Sequence, residues 1–225
     1  MVRQEGAAMK VGTDGVLLGA WVNIENTQSI LDVGSGTGLI ALMLAQRSNA
    51  TIHAVEIDES SHKQATENVN KSPWSNRVCL VNKSFQSFAF EGDTKYDLIV
   101  SNPPYFVNSL KPPELNRSFA RHAEQLPHAD LLEGILKVMK PSGRFCGIFP
   151  YVEGNVFVAS AATKGLFCVR KLNITSKPKG TVKRILVEFS FNREPIDETT
   201  LSIYSNDGEY TDEYKQLTKD FYLAF

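Results

Sequence analysis

The strongest constraint on the fold is a glycine-rich turn between an apolar strand and an apolar helix. Residues 30–45 read ILDVGSGTGLIALMLA, with Asp32 just before the turn and Gly34, Gly36 and Gly38 within it. Glycine adopts positive φ readily and lets a ligand approach the backbone closely, and the start of a helix offers free N–H groups. The pattern predicts a strand, a ligand-binding loop and a helix in direct succession.

Strands and helices alternate along most of the chain. Strands are predicted at 29–33, 51–57, 78–81, 96–101 and 144–149, and the helices between them at 39–47, 60–70 and 131–139. This order is typical of parallel βαβ units.

The pattern changes after a predicted helix at 155–164. Two strand-like runs follow, 168–176 and 182–191, and the Lys-Pro-Lys-Gly turn at 177–180 joins them too tightly for a parallel pair. A helix is also expected within 210–223, and the residues from 195 up to this helix are expected to be loosely organised. We expect an α/β, Rossmann-like fold with a mostly parallel seven-stranded sheet, an antiparallel hairpin at its end and helices on both faces.

Length and composition limit the class of protein. A chain of 225 residues is long enough for one substantial core, so we expect a single domain over 1–225 with a core at 29–193 and a C-terminal extension at 194–225. No run approaches the length of a transmembrane helix. The three cysteines lie far apart without CxxC spacing, which argues against a disulfide framework or a zinc site. These features favour a cytoplasmic protein without a metal.

A second acidic residue points to the ligand of the glycine loop. Glu56 ends the second predicted strand, where a carboxylate can accept hydrogen bonds from both hydroxyls of a ribose. The turn reads G-x-G-x-G, unlike the G-x-G-x-x-G that holds a pyrophosphate, and Asp32 would repel a diphosphate. A carboxylate there suits an amine and a cationic centre. S-adenosylmethionine has both and a ribose, so we predict it as the cofactor.

The fourth predicted strand runs directly into Asn102, Pro103, Pro104, Tyr105 and Phe106. Prolines end a strand because they cannot donate to its ladder. Ligands of open α/β sheets bind beyond the carboxyl ends of the strands. If the first and fourth strands are neighbours, this segment therefore lies against the glycine loop.

These residue types suit methyl transfer to a planar amine. The Asn102 side-chain oxygen and the Pro103 carbonyl can each accept one N–H, which directs the nitrogen lone pair at the methyl group, and Pro104 fixes the direction of that carbonyl. Tyr105 offers a face for a flipped-out base, worth about 1–3 kcal/mol. Phe106 is expected in the core or the pocket wall. No general base is required, since proximity and orientation supply most of the rate.

The glycine loop and the Asn-Pro-Pro-Tyr motif resemble the class I methyltransferases of the N-P-P-Y type, which modify adenine, guanine or glutamine amino groups. AMKVGTDGVLLGAW at 8–21, SNPPYF at 101–106 and GEYTDEYKQLTKDFYL at 208–223 are similar to the bacterial tRNA1(Val) (adenine-37-N6)-methyltransferases over nearly the whole chain. The resemblance implies S-adenosylmethionine-dependent methylation of the N6 amine of adenosine 37 in that tRNA.

The resemblance also assigns roles to single residues. It implies that the acid and the three glycines of the loop line the methionine part of the cofactor, that Glu56 binds the ribose and that Asn102 to Tyr105 hold the target amine. Asn102 is also expected to contact the cofactor. Residues 1–28 would cover the cofactor, with Thr13 in contact with it. Where this family usually has an aspartate for the cofactor's adenine amine, the chain has Ser84, and Phe85 could form a wall for the ring.

Charge is distributed unevenly near the C-terminus. Residues 164–193 carry eight Lys or Arg against one acid, and residues 194–225 carry eight acids against two lysines. Such asymmetry can mark a phosphate-binding face or a solvated hairpin. We expect the anticodon stem-loop of a tRNA to bind a monomer of this chain. The candidate phosphate contacts are Lys171, Lys177, Lys179, Lys183 and Arg184, with Arg117 and Arg121 near the substrate.

The sequence features described above are also compatible with other functions. A protein-glutamine N5-methyltransferase shares the N-P-P-Y motif but usually carries a helical domain before the glycine loop, and only 31 residues precede Asp32. An rRNA guanine-N2 methyltransferase is possible because the motif does not identify the base. A DNA adenine methyltransferase would need a long target-recognition insertion. A non-enzymatic RNA-binding module would not need the intact Asn102 and Tyr105.

Overall fold

A computed structural model describes residues 12–104 and 127–222 of the chain. In order, the elements are α1 (Thr13–Trp21), β1 (Ser29–Val33), α2 (Leu39–Arg47), β2 (Thr51–Glu56), α3 (Glu59–Asn70), β3 (Val78–Asn82), α4 (Phe85–Glu91), β4 (Tyr96–Ser101), α5 (His128–Val138), β5 (Met139–Pro150), α6 (Tyr151–Thr163), β6 (Phe167–Thr175), β7 (Val182–Ser190), β8 (Asp197–Ser202) and α7 (Asp212–Thr218).

The described strands form one sheet in the order β3-β2-β1-β4-β5-β7-β6-β8. The five strands from β3 to β5 are parallel, and β7 is antiparallel to both β5 and β6. The mostly parallel sheet with a terminal antiparallel hairpin is therefore confirmed. The hairpin turn is also confirmed, since Gly180 N donates to the Lys177 carbonyl at 2.9 Å and Lys179 adopts a φ of 58°.

The strand count was wrong, because the described sheet has eight strands instead of seven. The additional strand is β8, which pairs parallel with β6 along the outer edge of the sheet. Its sequence, DETTLS, is mostly exposed and lacks apolar alternation, so nothing in it predicts a strand. Charged residues are a common protection of edge strands against pairing with other chains.

Two apolar clusters lie on opposite faces of the sheet. One lies beneath α1 and α2 and includes Leu17 and Leu44, and the other lies beneath α4, α5 and α6 and includes Phe145 and Phe157. Helices therefore cover both faces, as expected. Among the described residues, no helix is long and apolar enough to cross a membrane.

Two glycines let α1 pack closely against α2. A Cβ at Gly15 would lie 3.3 Å from the Leu39 side chain, and one at Gly19 would lie 2.7 Å from the Met43 sulfur. The two contacts are four residues apart in both helices and run in the same order, so the helices lie side by side in parallel. The first turn of α1 is thereby placed beside the start of α2, at the carboxyl edge of the sheet.

Candidate active site

The pairing of β1 with β4 brings the two sequence motifs together. Val33 pairs with Ser101, so Gly34 and Asn102 follow directly at adjacent positions of the carboxyl edge. The Ser101 hydroxyl is completely buried and donates to the Val33 carbonyl at 2.9 Å. This serine joins the ends of both strands, and the sequence reading did not single it out. Its position directly before Asn-Pro-Pro was the feature of the sequence that could have identified it.

The glycine loop has an open face at this edge. Gly34, Gly36 and Gly38 have φ values of 72°, 54° and 77°. No described atom lies within 4 Å of a Cβ built on Gly34 or Gly36, whereas one on Gly38 would meet Ala65 of α3 at 3.4 Å. Side chains at the first two positions would occupy the space next to the loop, so the glycines form a cradle that a ligand can enter.

Glu56 connects the end of β2 to this loop. Its carboxylate accepts hydrogen bonds from Gly36 N and Asp58 N, both at 2.8 Å, and the side chain is largely buried. Gly34 N and Ser35 N also donate to the Val55 carbonyl, at 2.9 and 3.1 Å. Because each carboxylate oxygen has two lone pairs, Glu56 can hold the loop and still accept from a ribose hydroxyl.

Asp32 lies fully buried beneath the loop. Its Oδ2 accepts from Ala41 N at 3.1 Å, and its Oδ1 has no hydrogen-bond partner among the described residues. Burial raises the pKa of Asp32 to about 7, the Ala41 N–H lowers it, and the charge of Glu56 raises it further. The buried Ser35 hydroxyl also lacks a described partner. An uncompensated carboxylate fits a ligand with a positive charge, so these residues fit S-adenosylmethionine.

The two residues predicted to contact the adenine ring of the cofactor also have contacts within the protein. Ser84 is the N-cap of α4, and its hydroxyl accepts from Ser87 N at 3.1 Å. Phe85 is 4% exposed and packs closely against Gly134 of α5, which leaves little of its ring for a ligand. Ile57, by contrast, follows Glu56 directly and is 42% exposed at the carboxyl edge. Ile57 is therefore an additional candidate for contact with the cofactor's adenine ring. The sequence signal for it was an apolar residue directly after the acid that ends β2.

The first turn of α1 lies close to the loop. Thr13 is the first residue of this helix and is exposed. Asp14 forms an ion pair with Arg184 of β7 at 2.9 Å. Tyr105, Phe106, Arg117 and Arg121 lie outside the described residues.

The predicted basic track is only partly available. Lys171 and Arg184 form ion pairs with Glu198 and Asp14, at 3.1 and 2.9 Å, so their charges are compensated. The remaining candidates are exposed at the tip of the β6–β7 hairpin: Lys177, Lys179 and Lys183. β7 is antiparallel to β5, with Arg184 opposite Pro150 at the end of β5. The tip therefore lies at the carboxyl edge, on the same side of the sheet as the glycine loop.

With the glycine loop and the Asn-Pro-Pro exit adjacent on such a sheet, the fold and the site define an S-adenosylmethionine-dependent class I methyltransferase. The Methyltransferase small domain family model matches residues 10–130. Full-length similarity is more specific, and the chain belongs to the family of tRNA1(Val) (adenine(37)-N6)-methyltransferases.

Two curated proteins with that name illustrate the similarity. The chain is 48% identical to the one from Trichodesmium erythraeum, with 100% of this chain and 95% of the relative covered. It is 42% identical to the one from Haemophilus influenzae strain 86-028NP, with coverage of 100% and 96%.

Solved structures with low sequence identity share the fold. A predicted O-methyltransferase, Atu636 from Agrobacterium tumefaciens, superimposes with a TM-score of 0.72 at 17% identity, covering 92% of this chain and 96% of that one. The ribosomal protein L11 methylase from Lactobacillus delbrueckii subsp. bulgaricus gives 0.59 at 18%, covering 83% and 82%.

Proposed function

We propose that this protein methylates the N6 amine of adenosine 37 in tRNA1(Val), with S-adenosylmethionine as the methyl donor. The observation that supports it best is the β1–β4 register, which places Asn102 beside Gly34 at the carboxyl edge. The full-length similarity to curated enzymes of that name supports the substrate. An enzyme with this substrate would act in the cytoplasm.

The cofactor end of the site is built from the chain's own polar groups. Bound S-adenosylmethionine supplies an electrophilic methyl group next to a sulfonium charge. Asp32 Oδ1, without a described partner, offers a negative charge to the cationic part of that ligand. Glu56 holds Gly36 N and would accept from the ribose. Gly34 and Gly36 leave the backbone accessible to the methionine portion.

The target end is formed by the exit of β4. Asn102 and Pro104 are half-buried and Pro103 is buried, so the backbone is fixed where the strand ends. Asn102 Oδ1 and the Pro103 carbonyl would each accept one N–H of the adenine amine, which orients the nitrogen lone pair. Directly after methyl transfer, the amine carries an additional proton. This protonated amine is a strong acid, so the proton can pass to solvent. Tyr105 remains the proposed stacking partner for the base.

The exposed lysines of the hairpin tip would contact RNA phosphates. Lys177, Lys179 and Lys183 lie at the edge where the target adenine must enter. Phosphate contacts of this kind orient a nucleic acid and supply affinity that falls with salt. The protein's net charge of −1 makes this local cluster, and not the overall charge, the basis of the interaction.

The test is incubation of the purified protein with radiolabelled S-adenosylmethionine and total tRNA from a strain that lacks the gene, followed by digestion to nucleosides. We expect label in N6-methyladenosine and in no other nucleoside. Label in N2-methylguanosine would contradict the base assignment. Label that appears only in protein would favour a glutamine substrate. An Asn102→Ala variant serves as the control for transfer by a contaminating enzyme.

A further inference from the structure

The start of α6 exposes an apolar surface at the carboxyl edge. Tyr151 is 42% exposed, Val152 68% and Val156 61%. α6 begins directly after Pro150, the last residue of β5, and β5 is the neighbour of β4 in the sheet. The aromatic ring therefore follows the strand next to the one that presents Asn102.

The strand register places this surface relative to the site. Ser101 pairs with Gly147 of β5, so β5 extends three residues, or about 10 Å, beyond the level of Ser101 before α6 begins. Adjacent strands lie about 5 Å apart. Tyr151 thus begins α6 one strand away from β4, beyond the sheet edge where a substrate approaches, and its ring extends towards Lys171 of β6.

A charged side chain of β6, which is separated from β5 by β7, lies close to this ring. Lys171 Nζ is 6.0 Å from the Tyr151 ring centroid. The same ammonium pairs with Glu198 Oε1 at 3.1 Å and lies 3.4 Å from Asn155 Oδ1 in α6. Lys171 is only 13% exposed, so its position is fixed from several sides.

A buried amide next to this lysine has an unused acceptor. Asn173 Nδ2 donates to Glu198 Oε1 at 2.8 Å, while its Oδ1 has no hydrogen-bond partner among the described residues. Asn173 is 8% exposed. An aromatic face beside lysine and amide groups suits a neutral, planar ligand with polar edges, which describes a nucleobase.

We infer that Tyr151 is a stacking platform for a nucleobase that neighbours the methylated adenine in the RNA, an inference that rests on the proposed function. A base that leaves its stack to reach Asn102 deprives its neighbours of a stacking partner, and an exposed aromatic ring can replace that contact. The phosphates of the same strand would run towards Lys179 and Lys183, while the base faces the ring.

The experiment measures steady-state kinetics and RNA binding of Tyr151 variants. We expect Tyr151→Ala and Tyr151→Leu to raise the KM for tRNA about tenfold, the range of a lost stacking contact, while Tyr151→Phe stays close to wild type. The KM for S-adenosylmethionine should not change in any of them. Leucine retains apolar volume without a ring, so it separates stacking from packing. The matched control is Phe90→Ala, which removes an aromatic side chain of α4 that is 60% exposed.

A direct readout is the fluorescence of 2-aminopurine on either side of adenosine 37 in an anticodon stem-loop. Stacking on Tyr151 should quench it in wild type and in Tyr151→Phe but not in Tyr151→Leu. Equal KM values and equal quenching in wild type and Tyr151→Leu would overturn the inference while the proposed function stands. A wild-type protein that methylates no tRNA would overturn the proposed function, and this inference with it.

Discussion

The Arg184 guanidinium donates a hydrogen bond to Asp14 Oδ2 at 2.9 Å and so joins β7 to the first turn of α1. Both side chains are partly buried. Because Gly15 packs against Leu39 at the start of α2, this ion pair also fixes the first turn of α1 beside the glycine loop.

Replacing Arg184 with methionine should therefore weaken cofactor binding. We expect the KM for S-adenosylmethionine to rise about fivefold, as for a partly exposed pair worth about 1 kcal/mol, with a smaller change in kcat. Initial rates at varied cofactor concentration measure this. Lys83→Met, which breaks the surface pair with Glu91, is the control. Equal effects of both substitutions would show that the α1 contact has no role in binding.

An alanine at Gly34 should affect the ligand more than the fold. Gly34 and Gly165 both have positive φ, 72° and 79°, and a Cβ on either meets no described atom within 4 Å. Each substitution should therefore cost about 1 kcal/mol of folding free energy through backbone strain. Only Gly34→Ala should also weaken S-adenosylmethionine binding, which calorimetry measures. Gly165 lies before β6 at the other edge of the sheet, so a similar loss of binding in Gly165→Ala would contradict the assignment.

Asp32→Asn should stabilise the protein and impair its function. Burial raises the pKa of Asp32 to about 7, well above the value near 4 of an unfolded chain. Ionisation of Asp32 therefore destabilises the native state progressively as pH rises from about 4 to about 7. The full cost, about 4 kcal/mol, is present above that range. The variant should melt at a higher temperature than wild type at pH 8 and at a similar one at pH 4, while its cofactor affinity falls.

Asp97 provides the opposite case as a control. Burial raises its pKa, but hydrogen bonds from Lys140, from the Ser29 hydroxyl and from the N–H groups of Gln28 and Ser29 outweigh this and hold the pKa at about 2. The stability from this carboxylate is present above pH 4 and is lost as pH falls towards 2. Asp97→Asn should therefore lower the melting temperature at pH 8. A destabilised Asp32→Asn protein at that pH would refute the account of Asp32.

Asn102→Ala should remove activity and retain the cofactor. The Asn102 side chain is proposed to hold the target amine, so kcat should fall on the order of 100-fold or more while the Kd for S-adenosylmethionine stays within a few fold of wild type. Single-turnover methylation and calorimetry give the two quantities. Asn70→Ala, at the exposed end of α3, is the matched control. A large loss of cofactor binding in Asn102→Ala would mean that the side chain belongs to the cofactor site.

The hairpin lysines should determine the salt dependence of RNA binding. The double substitution of Lys179 and Lys183 with alanine should reduce the slope of log Kobs against log[salt] by about 2, since each phosphate contact contributes nearly one. Lys177 is left intact because its ammonium donates to the Asn206 carbonyl. The control replaces Lys71 and Lys164, which are exposed elsewhere. An unchanged slope in the hairpin variant would exclude a phosphate track at the tip.

Local patterns determined most of the fold and the two motifs of the site. The strand at 29–33, the helix at 39–47 and the strand at 96–101 begin and end as predicted. Their apolar runs and flanking glycines or prolines were sufficient signals because they lie within or next to each segment. Asn102, Glu56 and the glycine loop were predicted as site residues for the same reason.

Only the tertiary structure decided which charges are free and which edges are paired. The basic hairpin sequence did not reveal that Arg184 and Lys171 are compensated by Asp14 and Glu198, because each ion pair joins residues far apart in the chain. The strand β8 forms because β6 offers it an unpaired edge, and its own residues carry no strand pattern. Residue types and short-range spacing thus set the elements and the chemistry, while long-range pairing set the surface that the substrate meets.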